Sequence, residues 1–290
     1  MARQRPHRGK SPSHKGGDQG DRRSPPPRRQ GRGGRPEQVW LCGHHLVRET
    51  LRAGVWPLAR VLLQEGQESG ELATLAQERR VPVEVVPRPQ LDAVGAGVRH
   101  QGVAAQARPF PYVDLEATVE TALQGDGPPP LLLLLAGIQD PHNLGAILRA
   151  AAGAGVNCVV LPRRGQVGIT GAVARTSAGA VSWVPVAKVT NLNQTIRWLQ
   201  GRGFWVYGAS EKAPRSLYET DLRGPLALVV GGEGEGLRRL TAERCDELVS
   251  IPMAGELASL NASVAAGILL FEARRQQARL QQANPGSSAP

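Results

Sequence analysis

The chain has 290 residues, 41% of them apolar, 21% charged and 4% aromatic, and its formal charge is +10. That length exceeds one average domain and fits two. The charge is a property of the beginning alone, because residues 1–36 hold 11 Lys/Arg against 2 acids, so a nearly neutral body recognises its partners only through local patches.

Residues 1–36 are mostly Pro, Gly, Arg and Ser and cannot bury enough apolar surface to offset chain entropy. They are expected to be a disordered basic tail, either an electrostatic tether for RNA or a solubilising segment. Order is expected from near Val39. GHHLVRETLRAG reads as a helix ended by Gly54, Ala59 to Leu63 as a strand and Glu71 to Arg80 as a helix. Val83 to Val86 then reads as a strand, Gln90 to Val94 as a short helix and Val103 to Ala107 as a last strand, so residues 37–108 make a small alternating α/β domain. Residues 109–130, from PFPYVD through a short helix at Glu116 to Leu123 to GDGPPP, form a Pro/Gly-rich linker across which the two parts are expected to move.

From Leu131 the pattern strengthens. LLLLLAGI is a continuous strand-like run, LGAILRAAAGAG has helical composition and NCVVLP is β-branched, which together make a βαβ unit. Further strands are expected at Ser182 to Val186, Phe204 to Gly208, Leu226 to Val230 and Leu248 to Ile251, alternating with helical stretches, so residues 131–280 read as a parallel sheet covered on both faces. The last helix, Ser259 to Leu280, places Leu260, Val264, Ile268 and Phe271 on one stripe.

Cys42, Cys158 and Cys245 stand alone, which supports neither a disulfide framework nor a cysteine zinc site and fits a reducing, cytoplasmic setting. The longest apolar run has eight residues, far below the ~20 that span a bilayer, and no apolar stretch follows the basic start as a signal peptide requires. No His/Asp/Glu cluster has metal-ligand spacing.

Three segments of the second part carry polar residues where packing needs none. In GIQDPHNLGAILRAAAGAG, Asp140 can cap a helix that tolerates Pro141 in its first turn, with Asn143, Gly145 and Arg149 on or near it. Taken alone, this is an ordinary capped helix with a surface Arg. In LALVVGGEGEGL a buried strand runs into glycines and two Glu, so backbone can approach a ligand at the carboxyl end of a strand. The segment lacks GK[ST] and GxGxxG spacing, and Glu233 and Glu235 disfavour phosphates, so a neutral or zwitterionic nucleoside suits it better. In IPMAGELASLNASVAAGILLFE, Ser259, Asn261 and Ser263 open the last helix, where plain N-capping is the simpler reading.

In this order the three segments closely resemble the motifs of the SpoU family of RNA 2′-O-ribose methyltransferases, within the trefoil-knotted SPOUT superfamily. The resemblance spans about residues 131–275, and residues 37–107, with GHHLVRETL and HQGVAAQA, resemble the L30e-like substrate-binding domain of the branch that methylates guanosine in 23S ribosomal RNA. It implies a knotted C-terminal domain behind an L30e-like one, S-adenosyl-L-methionine as cofactor, ribosomal RNA as partner and a homodimer that completes its active sites across a two-fold interface with the C-terminal helix. Topology rules alone argue against a knot. Carried over, the active-site positions are Asn143, Arg149, Glu233, Ser259 and Asn261, and Gly231, Ile251 and Leu260 contact the cofactor largely through backbone. Arg99, His100 and Gln101 form a polar cluster that could touch RNA together with Arg149.

Methyl transfer to a ribose 2′-hydroxyl is an in-line displacement in which a poor nucleophile loses a proton as it attacks. The resemblance casts Arg149 as proton acceptor, yet a guanidinium is not normally deprotonated in proteins. The weaker statement is that Arg149 positions the ribose and stabilises oxyanion charge, the proton leaving through it or through water. Glu233 and Asn143 are expected to orient Arg149, and Ser259 with Asn261 to fix the loop that bends the donor. The same chemistry on transfer RNA, and a non-catalytic RNA-binding ribosome assembly factor, stay open as alternatives.

Overall fold

The computed structural model describes residues 39–283 apart from 68, 69, 235 and 258. The expected disordered tail and Glu235 lie outside the described residues.

The first sheet is built from β1 (Val39–Cys42), β2 (Leu58–Gln64), β3 (Val83–Val86) and β4 (Val103–Ala107), in the order β1-β4-β2-β3, with α1 (His44–Ala53), α2 (Glu71–Glu78) and α3 (Arg88–Gly95) between them. Only β2 and β3 run parallel. α1 buries Leu46, Val47, Thr50 and Leu51, one face at helical spacing, and stops at Gly54, whose left-handed φ of 67° returns its N–H to the Thr50 carbonyl. The central strand β4 buries Val103, Ala104 and Ala105 completely, so apolar side chains cover both of its faces.

The connector is no free tether. Trp56 donates its indole N–H to the Arg108 carbonyl at 2.7 Å and meets Phe110 edge-on at 5.0 Å, and Phe110 meets Tyr112 in the same way. Val113 then bonds the backbone of Val186, and Asp114 caps α4 (Leu115–Gln124) by accepting the Ala117 N–H.

The second sheet comprises β5 (Leu131–Ala136), β6 (Cys158–Pro162), β7 (Val186–Val189), β8 (Trp205–Ala209), β9 (Arg215–Ser216), β10 (Leu226–Gly231) and β11 (Glu247–Ser250), ordered β7-β6-β5-β10-β8-β11-β9, with every pairing parallel. The helices are α5 (Pro141–Gly153), α6 (Gly171–Thr176), α7 (Leu192–Gln200), α8 (Arg239–Ala242) and α9 (Ala262–Ala283). β5 explains its own sequence. Leu131, Leu133 and Leu135 enter the core shared with α5 and α9, while Leu132 and Leu134 enter the core shared with α4 and α7, so a strand buried on both faces has no polar alternation.

Two expectations need correction. The strand expected at Ser182 to Val186 is instead a 3₁₀ turn at Ala180–Ser182, opened by Gly179 at φ 84°, and β7 starts only beyond Pro185. The apolar stripe of the last helix is not its core face: Val264 and Phe271 are 49% and 53% exposed, and α9 packs through Ala262, Ala266, Leu269, Leu270 and Ala273. Alanines let α9 lie close on α5, which leaves Val264 and Phe271 outside.

The two sheets meet along α6 and the 3₁₀ turn. A Cβ on Gly171 would stand 2.6 Å from the Trp40 carbonyl oxygen. The Ser182 hydroxyl lies 3.4 Å from that of Thr50, and the Trp183 indole N–H donates to Glu49 at 3.2 Å. No helix among the described residues is long and apolar enough to cross a membrane.

Candidate active site

The site is assembled at the carboxyl edge of the parallel sheet, where α/β proteins gather ligands. Asp140 accepts the His142 N–H at 2.9 Å and Pro141 occupies the first turn of α5, so the helix starts sharply and Asn143 leaves that turn half-buried. The preceding turn is held from the side by Gln166, whose Oε1 accepts the N–H groups of Gly137 and Ile138, both at 3.0 Å. Its Nε2 is buried and, among the described residues, has no hydrogen-bond partner.

After β10 the chain folds back on itself. A Cβ on Gly231 would lie 2.2 Å from the Gly236 carbonyl, and one on Gly232 would lie 2.3 Å from the carbonyl oxygen of Gly137, so only glycine permits these backbone approaches. The fold-back delivers Glu233 to Asn143, whose Nδ2 donates to Glu233 Oε1. From the third segment, Asn261 Nδ2 donates to Asn143 Oδ1 at 3.0 Å, while Asn261 Oδ1 accepts the backbone N–H and hydroxyl of Ser263 at 2.8 and 2.6 Å. The donors run in one direction, from Ser263 through Asn261 and Asn143 to the Glu233 carboxylate, a chain whose members polarise one another.

The remaining expected residues fall into groups. Gly231 ends β10, Ile251 follows β11 half-buried against the main core, and Leu260 lies just before α9. Ser259 is exposed and takes no part in the Asn143 network. Arg149 is exposed and, among the described residues, has neither a hydrogen bond nor an ion pair. Six residues on from Asn143 it is rotated ~120° away around the helix, so the expected orientation of Arg149 by Glu233 and Asn143 is not made within one chain. It stands one turn before Gly153, where a Cβ would meet the Phe271 ring at 3.5 Å, and therefore flanks the exposed stripe of α9.

Of the polar cluster before β4, Arg99 and Gln101 face solvent but His100 is turned inward. Its Nδ1 accepts the Gly102 N–H at 3.0 Å, which leaves Nε2 to donate to Asp92 at 2.8 Å. Gln166 escaped sequence reasoning; a lone amide among small residues just past a strand, in RRGQVG, was its only signal.

Several chemistries are poorly served. Burial pushes the thiols of Cys158 and Cys245 up to about 12 and raises that of Cys42, so none is a ready thiolate. A cleft of about 640 Å³ between the connector and α7, lined by Tyr112, Lys188 and Trp198, excludes the network residues. The network does fit a sulfonium nucleoside: a carboxylate stands at the end of the donor chain, Gly234 and Gly236 border open space, and the loop between β11 and α9 exposes Met253 and Leu257, apolar side chains suited to a purine ring.

A family model described as the SpoU rRNA Methylase family matches residues 130–271, and one described as RNA 2′-O ribose methyltransferase substrate binding matches residues 40–113. The 23S rRNA (guanosine-2′-O-)-methyltransferase RlmB of Xanthomonas campestris is 47% identical over 247 residues, covering 83% of this chain and 98% of its own. Its counterpart from Pseudomonas putida is 44% identical over 240 residues, covering 82% and 96%. Among solved structures, an AdoMet-bound rRNA methyltransferase from Sinorhizobium meliloti superposes with a TM-score of 0.70 at 26% identity, over 82% of this chain and 87% of that one.

Proposed function

Because the chain belongs to the SpoU rRNA methylase family, we propose that it methylates a ribose 2′-hydroxyl of guanosine in 23S ribosomal RNA, with S-adenosyl-L-methionine as donor. The observation that carries this reading is the hydrogen-bonded chain Glu233–Asn143–Asn261, which draws three segments distant in sequence to one point.

The bound cofactor supplies an electrophilic methyl carbon on a sulfonium. The backbone at Gly231, Ile251 and Leu260 holds its nucleoside, while Ser259 and Asn261 fix the loop beneath it. Glu233 sets a negative charge beside the reacting centre and keeps Asn143 in place. Arg149 grips the ribose and the adjacent phosphate and stabilises charge on the attacking oxygen, the proton leaving through it or through water. As Arg149 has no hydrogen bond or ion pair among the described residues and borders the exposed stripe of α9, it serves the site of the second subunit in a homodimer. The trefoil knot and the L30e-like character of residues 37–108 belong to the same reading. β10 is laid between β5 and β8, with its glycine loop pressed on Gly137, the close backbone crossing that such threading needs. Three free cysteines suit a reducing cytoplasm.

The test is transfer of labelled methyl groups from S-adenosyl-L-methionine to unmodified 23S ribosomal RNA and, separately, to transfer RNA. Label in the ribose of a guanosine of the 23S RNA alone is expected. Label in transfer RNA alone moves the substrate, and a folded protein that binds no S-adenosyl-L-methionine by calorimetry is an assembly factor instead.

A further inference from the structure

α6 runs beside β1, and the two backbones touch where Gly171 meets the Trp40 carbonyl. Four residues of helix advance ~6 Å and two residues of strand ~6.6 Å, so Arg175, on the same side of α6 as Gly171, comes opposite Cys42. The proximity is felt electrostatically, since the Arg175 guanidinium partly opposes the rise that burial imposes on the Cys42 thiol. Just beyond Cys42 the chain turns at Gly43, where a Cβ would lie 3.9 Å from the Arg99 carbonyl oxygen and 4.0 Å from Gln101 Oε1. Arg175 from the seven-stranded half and Arg99 with Gln101 from the four-stranded half therefore gather around one corner.

All three are exposed, and among the described residues their side chains have no hydrogen bond or ion pair. The corner is nevertheless tied to the core. His100, bonded to both Gly102 and Asp92, anchors the turn, and Gln101 is held at φ 53°, a left-handed conformation that a residue with a side chain adopts only when its surroundings impose it. The nearby acid, Asp92, is occupied by His100 and by Arg88 at 3.8 Å. Two unneutralised guanidinium groups and a projecting amide, fixed across the joint of two substructures, make a receptor for phosphodiesters.

We propose that Arg175, Arg99 and Gln101 form one RNA-backbone contact that bridges the two halves of the protein and grips the substrate strand to one side of the methylated nucleotide. The inference rests on the methyltransferase reading and adds the seven-stranded half, through α6, to the RNA-binding surface. α6 gives the contact a mechanical consequence. It presses on α5, where a Cβ on Gly145 would stand 2.6 Å from the Thr176 Cβ, and α5 carries Asn143 and Arg149. Phosphates held at the corner are thus kept at a fixed span from the transfer site.

The experiment titrates the full-length chain against a fluorescein-labelled transcript of large-subunit ribosomal RNA at a series of salt concentrations. Each arginine that neutralises a phosphate releases a counterion, so Arg175→Ala is expected to weaken binding about fivefold at physiological salt and to lower the slope of log K against log[salt] by about 1, and the Arg99→Ala/Arg175→Ala pair by about 2. Arg175→Lys, which keeps the charge, retains the wild-type slope, and S-adenosyl-L-methionine affinity and melting temperature hold at wild-type values throughout. A wild-type slope in Arg175→Ala overturns the inference, as does a loss of affinity that Arg175→Lys shares, because that would be a packing effect. Failure of the wild-type chain to methylate the transcript counts against the methyltransferase reading instead, and the slope comparison is unaffected by it.

Discussion

Asn143 has both ends of its amide engaged, so its orientation is set by the two segments it joins rather than by its own helix. Residue by residue, Asn143 reads as part of an ordinary capped helix and Asn261 as an N-cap. It is the resemblance of the three segments, taken in order, that singles out Asn143, Glu233 and Asn261, because a side chain's long-range partner is not written in its own segment. Gln166 was not legible, because its partners are the backbone N–H groups of Gly137 and Ile138, which come within reach only once β6 lies beside β5. The inward turn of His100, read only as one of a polar cluster that could touch RNA, was hidden for a related reason. A run of polar residues does not say which of them turns inward, and that depended on Asp92 and on the left-handed bend at Gln101 and Gly102. Gln166 also makes a sharp prediction. Gln166→Met keeps the shape but removes the acceptor of two N–H groups, and should cost about 2 kcal/mol of stability, roughly 4–8 °C in melting temperature, with a fall in kcat as the turn loosens. Gln166→Glu retains an acceptor oxygen and should recover most of the kcat. Differential scanning calorimetry beside single-turnover methyl transfer checks both, and unaltered melting in Gln166→Met would mean that the amide does not hold the turn.

At the scale of elements, the strands buried on both faces announced themselves, whereas β1, β9, the start of β7 and one helix face did not. β5 and β10 are buried on both sides, so their sequences are nearly unbroken apolar runs that admit little else. α9 has two candidate faces, one of alanines with Leu269 and Leu270 and one of Val264, Ile268 and Phe271. Helical period identifies a helix but does not choose between such faces; the choice belongs to what the helix meets, here the small residues along α5. The 3₁₀ turn before β7 was hidden similarly, since Gly179 breaks the strand only because its backbone is left-handed and pressed to Glu49. The alanine face makes the packing testable. Ala266 is fully buried, and Ala266→Leu must push α9 from its neighbours, for an expected loss of about 1–3 kcal/mol in chemical unfolding. A variant as stable as wild type would show that α9 has slack against α5.

For the whole molecule the issue is what covers the outer stripe of α9. Phe271 is 53% exposed and sits by Gly153, one turn from Arg149 on α5, so a second subunit seated on the stripe would bring a foreign network to Arg149. If that is the working assembly, Phe271→Asp should leave each subunit folded, because the side chain is outside the core, yet yield monomers by light scattering with little methyl transfer. A stricter test mixes two inactive variants, Arg149→Ala and Asn143→Ala. Should Arg149 act across the interface, a mixed dimer contains one site with both residues intact, and random assortment restores about a quarter of wild-type activity. Should Arg149 act within its own chain, every site in every dimer lacks one of the pair and no mixture recovers activity. Subunit exchange followed by labelled methyl transfer reads the difference directly, with Phe271→Asp added to both variants as the control that must abolish any rescue.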